Sequence, residues 1–202
     1  MPAPHAHLAD AFAQLPPNLP APVDDGAARH LPGTRLPAVV LPSTAGPAVD
    51  LSTLDRAVVF VYPMTGTPGV PLPDGWDAFP GARGCTAEVC SMRDHLAELR
   101  DAGAGEVLGL SGQAAADQRA AAERLHVPYP LLSDAEGRAT RMLRLPTFEL
   151  GGRTYLRRLT LVVRDGVVSH VFHPVFPPGT HADEVLAWLR THEDAAAGPP
   201  SA

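Results

Sequence analysis

Two apolar runs on either side of an amphipathic stretch constrain this chain more than any other feature of its sequence. Residues Ala57–Tyr62 (AVVFVY) and Glu106–Ser111 (EVLGLS) are apolar segments of strand length, typical of strands with both faces covered. Between them, residues 86–101 place four apolar side chains on one helix face, namely Val89, Met92, Leu96 and Leu99. This order predicts a right-handed crossover between two parallel strands.

The rest of the chain predicts a mixed α/β architecture. In chain order the patterns indicate a hairpin at 36–51, a helix at 113–125, a short helix capped by Ser133 or Asp134, a hairpin of 147–150 with 153–163, a second hairpin turning at Asp165–Gly166, and a helix at 181–190. Parallel strands followed by an antiparallel hairpin and a closing helix are the order of a thioredoxin-like three-layer sandwich, with a mixed central sheet flanked by helices. Other α/β folds share this coarse order.

Length and composition suggest one domain with polar ends. The 202 residues suffice for a single core. We expect a Pro-rich extension over residues 1–35, with two helical turns in 8–15, a domain over 36–192 and a disordered tail over 193–202. The chain contains no membrane-length apolar run, and its first residues lack the pattern of a secretory signal, so we expect a cytoplasmic protein.

The charge balance and the cysteine count narrow the function. The formal net charge is −6 and all 16 basic residues are arginine, so nucleic acid is not an expected partner. Two cysteines are too few for a disulfide framework, and a close pair in a reducing compartment is typical of catalytic, redox or metal sites.

The cysteines lie in the segment PGARGCTAEVCSMRD, at the beginning of the predicted crossover helix. Unpaired backbone amides at a helix start stabilise a thiolate, so we expect the pKa of Cys85 to be lowered. Helix geometry separates the Cα atoms of Cys85 and Cys90 by about 8.5 Å, beyond the roughly 7 Å limit for a disulfide, so a bridge requires the first turns to unwind. Two other interpretations are buried inert thiols and a zinc site with His95, although five-residue steps put these ligands on different faces.

The segment Gly84–Asp94 (GCTAEVCSMRD) resembles the active-site signature of the Q-type peroxiredoxins, also called bacterioferritin comigratory proteins. The resemblance extends over residues 36–189 and includes the segments LPSTAGPAVDLSTL, EVLGLSGQ, LLSDAEG and RLTLVVRDG. It implies a thiol-dependent peroxidase that reduces hydrogen peroxide or organic hydroperoxides without a metal or other cofactor. By the same resemblance, Cys85 becomes a sulfenic acid, Cys90 condenses with it, and a thioredoxin- or glutaredoxin-like protein reduces the disulfide. Relatives of this type suggest a monomer or a homodimer.

The resemblance also implies the residues around the peroxide. Arg158, two residues before Thr160, matches the family arginine, and Thr67 matches the catalytic threonine. The expected substrate pocket comprises Pro63, Thr65, Gly84, Thr86 and Glu88. Arg157 and Arg158 alternate faces in the predicted strand, so we expect at least one of them at the surface. Arg83, close to the cysteine in sequence, and Arg93, in the same helix, are alternative cations.

The chain departs from the family pattern just before Cys85, where an insertion follows the threonine motif and occupies residues 69–84. Either the insertion loops out and leaves Thr67 near the thiol, or Thr65 replaces it, or the PGARG segment supplies backbone amides alone. Its Trp76 and Phe79 indicate a lid over the pocket or a surface for a partner. Alternative functions are a non-enzymatic thiol redox sensor and an inert thioredoxin-fold binding domain.

Overall fold

The computed structural model describes residues 15–192 and contains a five-stranded mixed sheet at its centre. The strands are β1 (Val40–Leu41), β2 (Val49–Asp50), β3 (Arg56–Val61), β4 (Glu106–Ser111), β5 (Leu131–Ser133), β6 (Thr147–Leu150), β7 (Arg153–Leu156), β8 (Leu159–Arg164) and β9 (Val167–Phe172). The central sheet has the order β5-β4-β3-β8-β9; β3 is parallel to β4 and antiparallel to β8. The predicted crossover between parallel strands is confirmed.

Within residues 15–192, five α-helices accompany these strands: α1 (Cys85–Asp94), α2 (Leu96–Asp101), α3 (Ala115–Arg124), α4 (Arg138–Leu143) and α5 (His181–Thr191). Short 3-10 helices occupy Leu51–Thr53, Trp76–Ala78 and Pro178–Thr180. None of the helices in residues 15–192 is long and apolar enough to cross a lipid bilayer.

Both faces of the sheet are covered. Successive residues of β3 point to opposite sides and pack in two different cores. Val58 and Phe60 pack in a core formed with α1, α2, α3 and α5. Val59 and Val61 pack in a second core with residues from 28–54 and from α4. The predicted three-layer thioredoxin-like sandwich is confirmed.

One predicted helix is interrupted. The expected helix over 86–101 forms α1 and α2, which meet at His95, where φ is −102° and ψ is 11°. The imidazole Nδ1 of His95 lies 2.9 Å from the carbonyl oxygen of Ser91, which also accepts the His95 N–H. This competition for one carbonyl accompanies the break. The predicted buried face nevertheless holds on both sides of it: Val89, Met92, Leu96 and Leu99 all belong to the first core.

The long hairpin predicted at 147–163 is also divided. Strands β6 and β7 form a separate two-stranded sheet, whereas β8 joins the central sheet next to β3. Residues 157–158 lie in the gap between β7 and β8, so the prediction that Arg157 and Arg158 alternate along one strand is wrong. The turn at Asp165–Gly166 is confirmed, with φ values of 52° and 70° that suit this residue pair in a two-residue hairpin.

The predicted domain boundaries can be compared with the structure only in part. Ala28 and Leu31, which fall in the expected extension, are buried in the second core. The predicted tail at 193–202 and nearly all of the predicted helix at 8–15 lie outside the described residues. The boundary between residues 35 and 36 remains a prediction.

Candidate active site

Cys85 is the first residue of α1, and Gly84 before it requires the freedom of glycine. Gly84 has a φ of 103°. A Cβ on this residue would lie 2.4 Å from Cγ of Pro178 and 2.9 Å from Cδ2 of Leu15, so a side chain would meet both neighbours. Cys85, the next residue, is only 3% exposed.

Three groups surround the Cys85 sulfur. The guanidinium Nη2 of Arg158 lies 3.2 Å from Sγ, and the backbone N–H of Met64 lies 3.4 Å away. The thiol in turn donates to the carbonyl oxygen of Ala82 at 3.5 Å. Two donors therefore face the sulfur, and both would stabilise a thiolate.

Arg158 reaches this position because the strand ends before it. Its side chain is 2% exposed and forms a buried ion pair with Glu88 of α1. Its Nη2 also donates to the carbonyls of Gly81 and Arg83, at 3.4 and 3.2 Å. One guanidinium thus connects the segment before Cys85, the sulfur itself and the next turn of α1.

The prediction that the pKa of Cys85 is lowered is wrong for this closed arrangement. Burial raises the pKa of the Cys85 thiol, while the Arg158 guanidinium and the Met64 amide act in the opposite direction. The carboxylate of Glu88 raises it further, because it competes for the charge of Arg158. Sequence shows the helix start but not the loss of solvent around the sulfur, and here the loss of solvent is the larger effect.

Burial also raises the pKa of Glu88, to about 7, although Arg158 opposes the shift. Its Oε1 atom is buried without a hydrogen-bond partner, whereas Oε2 meets Arg158. Glu88 is therefore a buried acid that exchanges a proton near neutral pH beside the reactive sulfur.

Cys90 lies in the same helix and is half-buried. Burial raises the pKa of this thiol, and the charges of Arg93 and Arg124 act against the increase. Arg93, one of the alternative cations that the sequence offered for Cys85, donates to the carbonyl oxygen of Leu125 at 2.6 Å. Its charge acts on Cys90 instead. Both sulfurs are thiols in the structure.

The two candidate threonines are not equivalent. Thr65 is buried, and its N–H and hydroxyl donate to Oε1 of Gln113 at 2.9 and 3.1 Å. Thr67 is exposed and lines a cavity of about 560 Å³ that does not include Cys85. The structure therefore does not bring Thr67 to the sulfur, and the donor from this loop is the Met64 backbone.

The remaining predicted pocket residues divide between two cavities. Gly84 and Thr86 line a cavity of about 10 Å³ together with Cys85. Pro63 and Thr65 line the larger one. Glu88 lines neither cavity and contacts Arg158.

Several groups of the site carry no signal in the sequence. The Met64 contact is made by backbone, so no side-chain pattern marks it. Gln113 follows strand β4 at a sheet end where polar residues gather, which is a weak signal. His181, 2% exposed, lies 2.8 Å from the hydroxyl of Thr160, two residues after Arg158. The sequence indicated only that His181 begins the last helix.

Side chains of the metal-ligating type come together at a different place. Among residues 15–192, Asp24, Asp25 and His173 have ligand atoms within 4.8 Å of one another. Arg157 already supplies a positive charge there, 2.6 Å from Oδ2 of Asp25. Neither cysteine belongs to this group, and a reaction without metal remains a prediction.

Comparisons with known proteins agree with this geometry. The redoxin family model matches residues 31–186. Chloroplastic peroxiredoxin Q of Suaeda salsa is 32% identical over 161 residues, which cover 79% of this chain and 67% of that protein. Its counterpart in Sedum lineare is 30% identical, with coverages of 79% and 77%.

Solved structures show the same relationship. Peroxidoxin BcpB from Mycobacterium tuberculosis superposes with a TM-score of 0.63 at 32% identity, covering 79% of this chain and 96% of that one. Peroxiredoxin Q from Xanthomonas campestris gives 0.59 at 25% identity, with coverages of 78% and 95%. The family match, the fold and a buried cysteine beside an arginine at a helix start lead to one conclusion: the chain belongs to the Q-type peroxiredoxins, and it is a thiol peroxidase.

Proposed function

We propose that the chain reduces hydroperoxides with Cys85 as the attacking thiolate and Cys90 as the resolving thiol. The observation that supports this assignment best is the position of Arg158, whose Nη2 lies 3.2 Å from the Cys85 sulfur. A fixed cation at this distance stabilises the thiolate and, with a peroxide bound, the charge that develops as the O–O bond breaks.

In the first step the Cys85 thiolate attacks the terminal oxygen of the hydroperoxide. The S–O bond forms, the O–O bond breaks, and the leaving oxygen takes the proton that the thiol released. Cys85 is oxidised to a sulfenic acid, and the peroxide is reduced to water or an alcohol. The N–H groups of Met64 and Arg158 stabilise the sulfur before the attack and the reacting oxygens during it.

Glu88 bears on the supply of thiolate. Its negative charge raises the pKa of Cys85, so protonation of Glu88 leaves the Arg158 charge to the sulfur alone. Because protonated Glu88 no longer repels a thiolate, Cys85 ionises more readily when Glu88 holds its proton, and the pKa of Glu88 is about 7.

In the second step Cys90 condenses with the sulfenic acid and water leaves. Both cysteines belong to α1, whose geometry keeps their Cα atoms about 8.5 Å apart, so the first turn of α1 must unwind. A dithiol protein of the thioredoxin or glutaredoxin type then reduces the disulfide and restores both thiols. Organic hydroperoxides belong to the same substrate class; the oligomeric state and the cytoplasmic location stay predictions from the sequence.

Intact mass after one equivalent of hydrogen peroxide tests both cysteine roles. We expect the wild type to lose two hydrogens and Cys90→Ser to gain one oxygen, while Cys85→Ser stays unchanged. An oxidised Cys85→Ser variant, or a Cys90→Ser variant without added oxygen, would contradict the assignment. Oxidation of the wild type without turnover by a dithiol protein would favour the redox sensor instead.

A further inference from the structure

Residues 70–84 of the insertion, here called the cover segment, line the cavity at Cys85 and pack against the β6–β7 hairpin. Trp76 is 3% exposed, and its ring lies 4.9 Å from that of Tyr155 in an edge-to-face contact and 6.1 Å from that of Phe148. Phe79 stacks on Phe148 at 4.1 Å. Four aromatic rings thus hold the cover segment against the hairpin.

The cover segment leaves two cavities of very different size. The cavity at Cys85 measures about 10 Å³, close to the space of a single water molecule. The neighbouring cavity measures about 560 Å³, within the range that holds an organic ligand. The reacting oxygen of a peroxide fits beside the sulfur, whereas a bulky substituent needs the larger space.

Leu72 of the cover segment lies between these cavities. The linings of the two share three residues, Met64, Gly66 and Leu72. Of the three, Leu72 alone belongs to the cover segment and contributes a branched aliphatic side chain, which packs against the aromatic cluster. Trp76 lines only the small cavity, on the side of the hairpin.

We propose that Leu72, packed against the cluster of Trp76, makes Cys85 react faster with hydrogen peroxide than with hydroperoxides that carry bulky organic groups. The inference depends on the proposed function, because it concerns which peroxide reaches Cys85. Shortening Leu72 connects the small cavity with the larger one. The organic group of the peroxide then lies in the larger cavity while its terminal oxygen meets the sulfur.

The test compares Leu72→Ala with Val70→Ala as a matched control. Val70 is 56% exposed on the same segment and lines the larger cavity but not the small one. In a Cys90→Ser background, the rate of sulfenic acid formation is measured by rapid quenching and intact mass, with hydrogen peroxide and with cumene hydroperoxide. We expect wild type and Val70→Ala to prefer hydrogen peroxide. Leu72→Ala should reduce that preference by at least about tenfold, mainly through faster reaction with cumene hydroperoxide.

The outcomes separate this inference from the proposed function. If Cys85 reacts with both peroxides and Leu72→Ala leaves the preference unchanged, the inference is wrong and the peroxidase assignment stands. If wild-type Cys85 reacts with neither peroxide, the proposed function itself is wrong. Leu72→Val, which keeps a branched apolar side chain, should shift the preference in the same direction by less, and it replaces Leu72→Ala should that variant not fold. A Leu72→Val preference equal to that of the wild type then overturns the inference.

Discussion

Arg158 is the residue of the candidate site that faces two acids at once. It meets the thiol on one side and Glu88 on the other, and all three side chains are buried. The sulfur and the carboxylate therefore compete for one positive charge in a medium of low dielectric constant. Changing either partner of Arg158 should move the pKa of the other.

This competition predicts opposite effects from two substitutions. Glu88→Gln should lower the pKa of Cys85, because the charge that raises it is removed. Arg158→Met should raise the same pKa, because the guanidinium that lowers it is removed, and should reduce the rate constant with hydrogen peroxide at least about a hundredfold. The ultraviolet absorbance of the thiolate, followed against pH in a Cys90→Ser background, measures the pKa.

Arg157→Met serves as the control, since Arg157 contacts Asp25 and the carbonyl of Thr147 instead of the sulfur. It should leave the pKa of Cys85 unchanged. Arg158→Met leaves Glu88 buried without its partner and could unfold the protein for that reason. The double variant Glu88→Gln, Arg158→Met removes both charges, and its folding shows whether the loss of Arg158 alone is tolerated. A rise in the pKa with Glu88→Gln would refute the competition.

At the scale of the helix, the start of α1 depends on a glycine that is packed from two sides. Gly84→Ala should lower the free energy of unfolding for two reasons: the positive φ, which costs about 1–2 kcal/mol, and the clash with Pro178. Gly69 also has a positive φ, 79°, but a Cβ there meets nothing within 4 Å. Gly69→Ala should therefore show the first cost alone.

Urea unfolding of the two variants separates these contributions. We expect Gly84→Ala to lose about 1–3 kcal/mol more than Gly69→Ala. Equal losses would mean that Pro178 moves aside freely and that the helix start is not held by its neighbours.

The same elements show what sequence can and cannot predict. The apolar spacing from Val89 to Leu99 correctly placed one buried face, because period and burial are linked through helix geometry. The break at His95 escaped prediction, since a side chain competing for a carbonyl leaves the pattern of apolar residues intact. Arg158 was placed by resemblance, but the gap between β7 and β8 that turns it toward Cys85 arises from tertiary pairing.

Around the sulfur, the limits are of another kind. The cysteine at a helix start was visible in the sequence, yet the direction of its pKa shift was not, because the sulfur is buried among groups such as Met64 and Arg158 that the fold brings from distant parts of the chain. The threonine motif shows a similar limit: the sequence left open whether Thr67 lies near the thiol, and in the fold Thr67 lines the larger cavity instead of the one at Cys85.

Across the whole molecule, two buried titratable groups make stability depend on pH in opposite directions. The pKa of Glu88 is raised from 4.5 to about 7 by burial. The pKa of His181 is lowered from 6.5 to about 3, first by burial and then by the charge of Arg158. Glu184 can only accept, so Nδ1 of His181 donates to it at 3.0 Å, and Nε2 accepts from Thr160.

The sign of each contribution follows from which state holds the proton more tightly. Folded Glu88 binds its proton more tightly than the unfolded chain does, so its contribution is complete below about pH 4.5. It is lost as the pH rises through about 7, a change of about 3 kcal/mol. Folded His181 resists protonation, so its contribution is complete above about pH 6.5 and is lost as the pH falls through about 3, a change of about 5 kcal/mol. Between about pH 4.5 and 6.5 the two slopes have opposite signs and offset each other.

Single substitutions should separate the contributions of Glu88 and His181 to the pH dependence of the free energy of unfolding. We expect the free energy of unfolding of Glu88→Gln to rise with pH between about 4.5 and 6.5 relative to the wild type, because the slope from His181 remains. That of His181→Gln should fall over the same range, because the slope from Glu88 remains. Urea unfolding at several pH values measures both, and taking differences from the wild type removes the contribution of the other titrating groups. If both variants follow the wild-type pH profile with a constant offset, neither group titrates differently on folding.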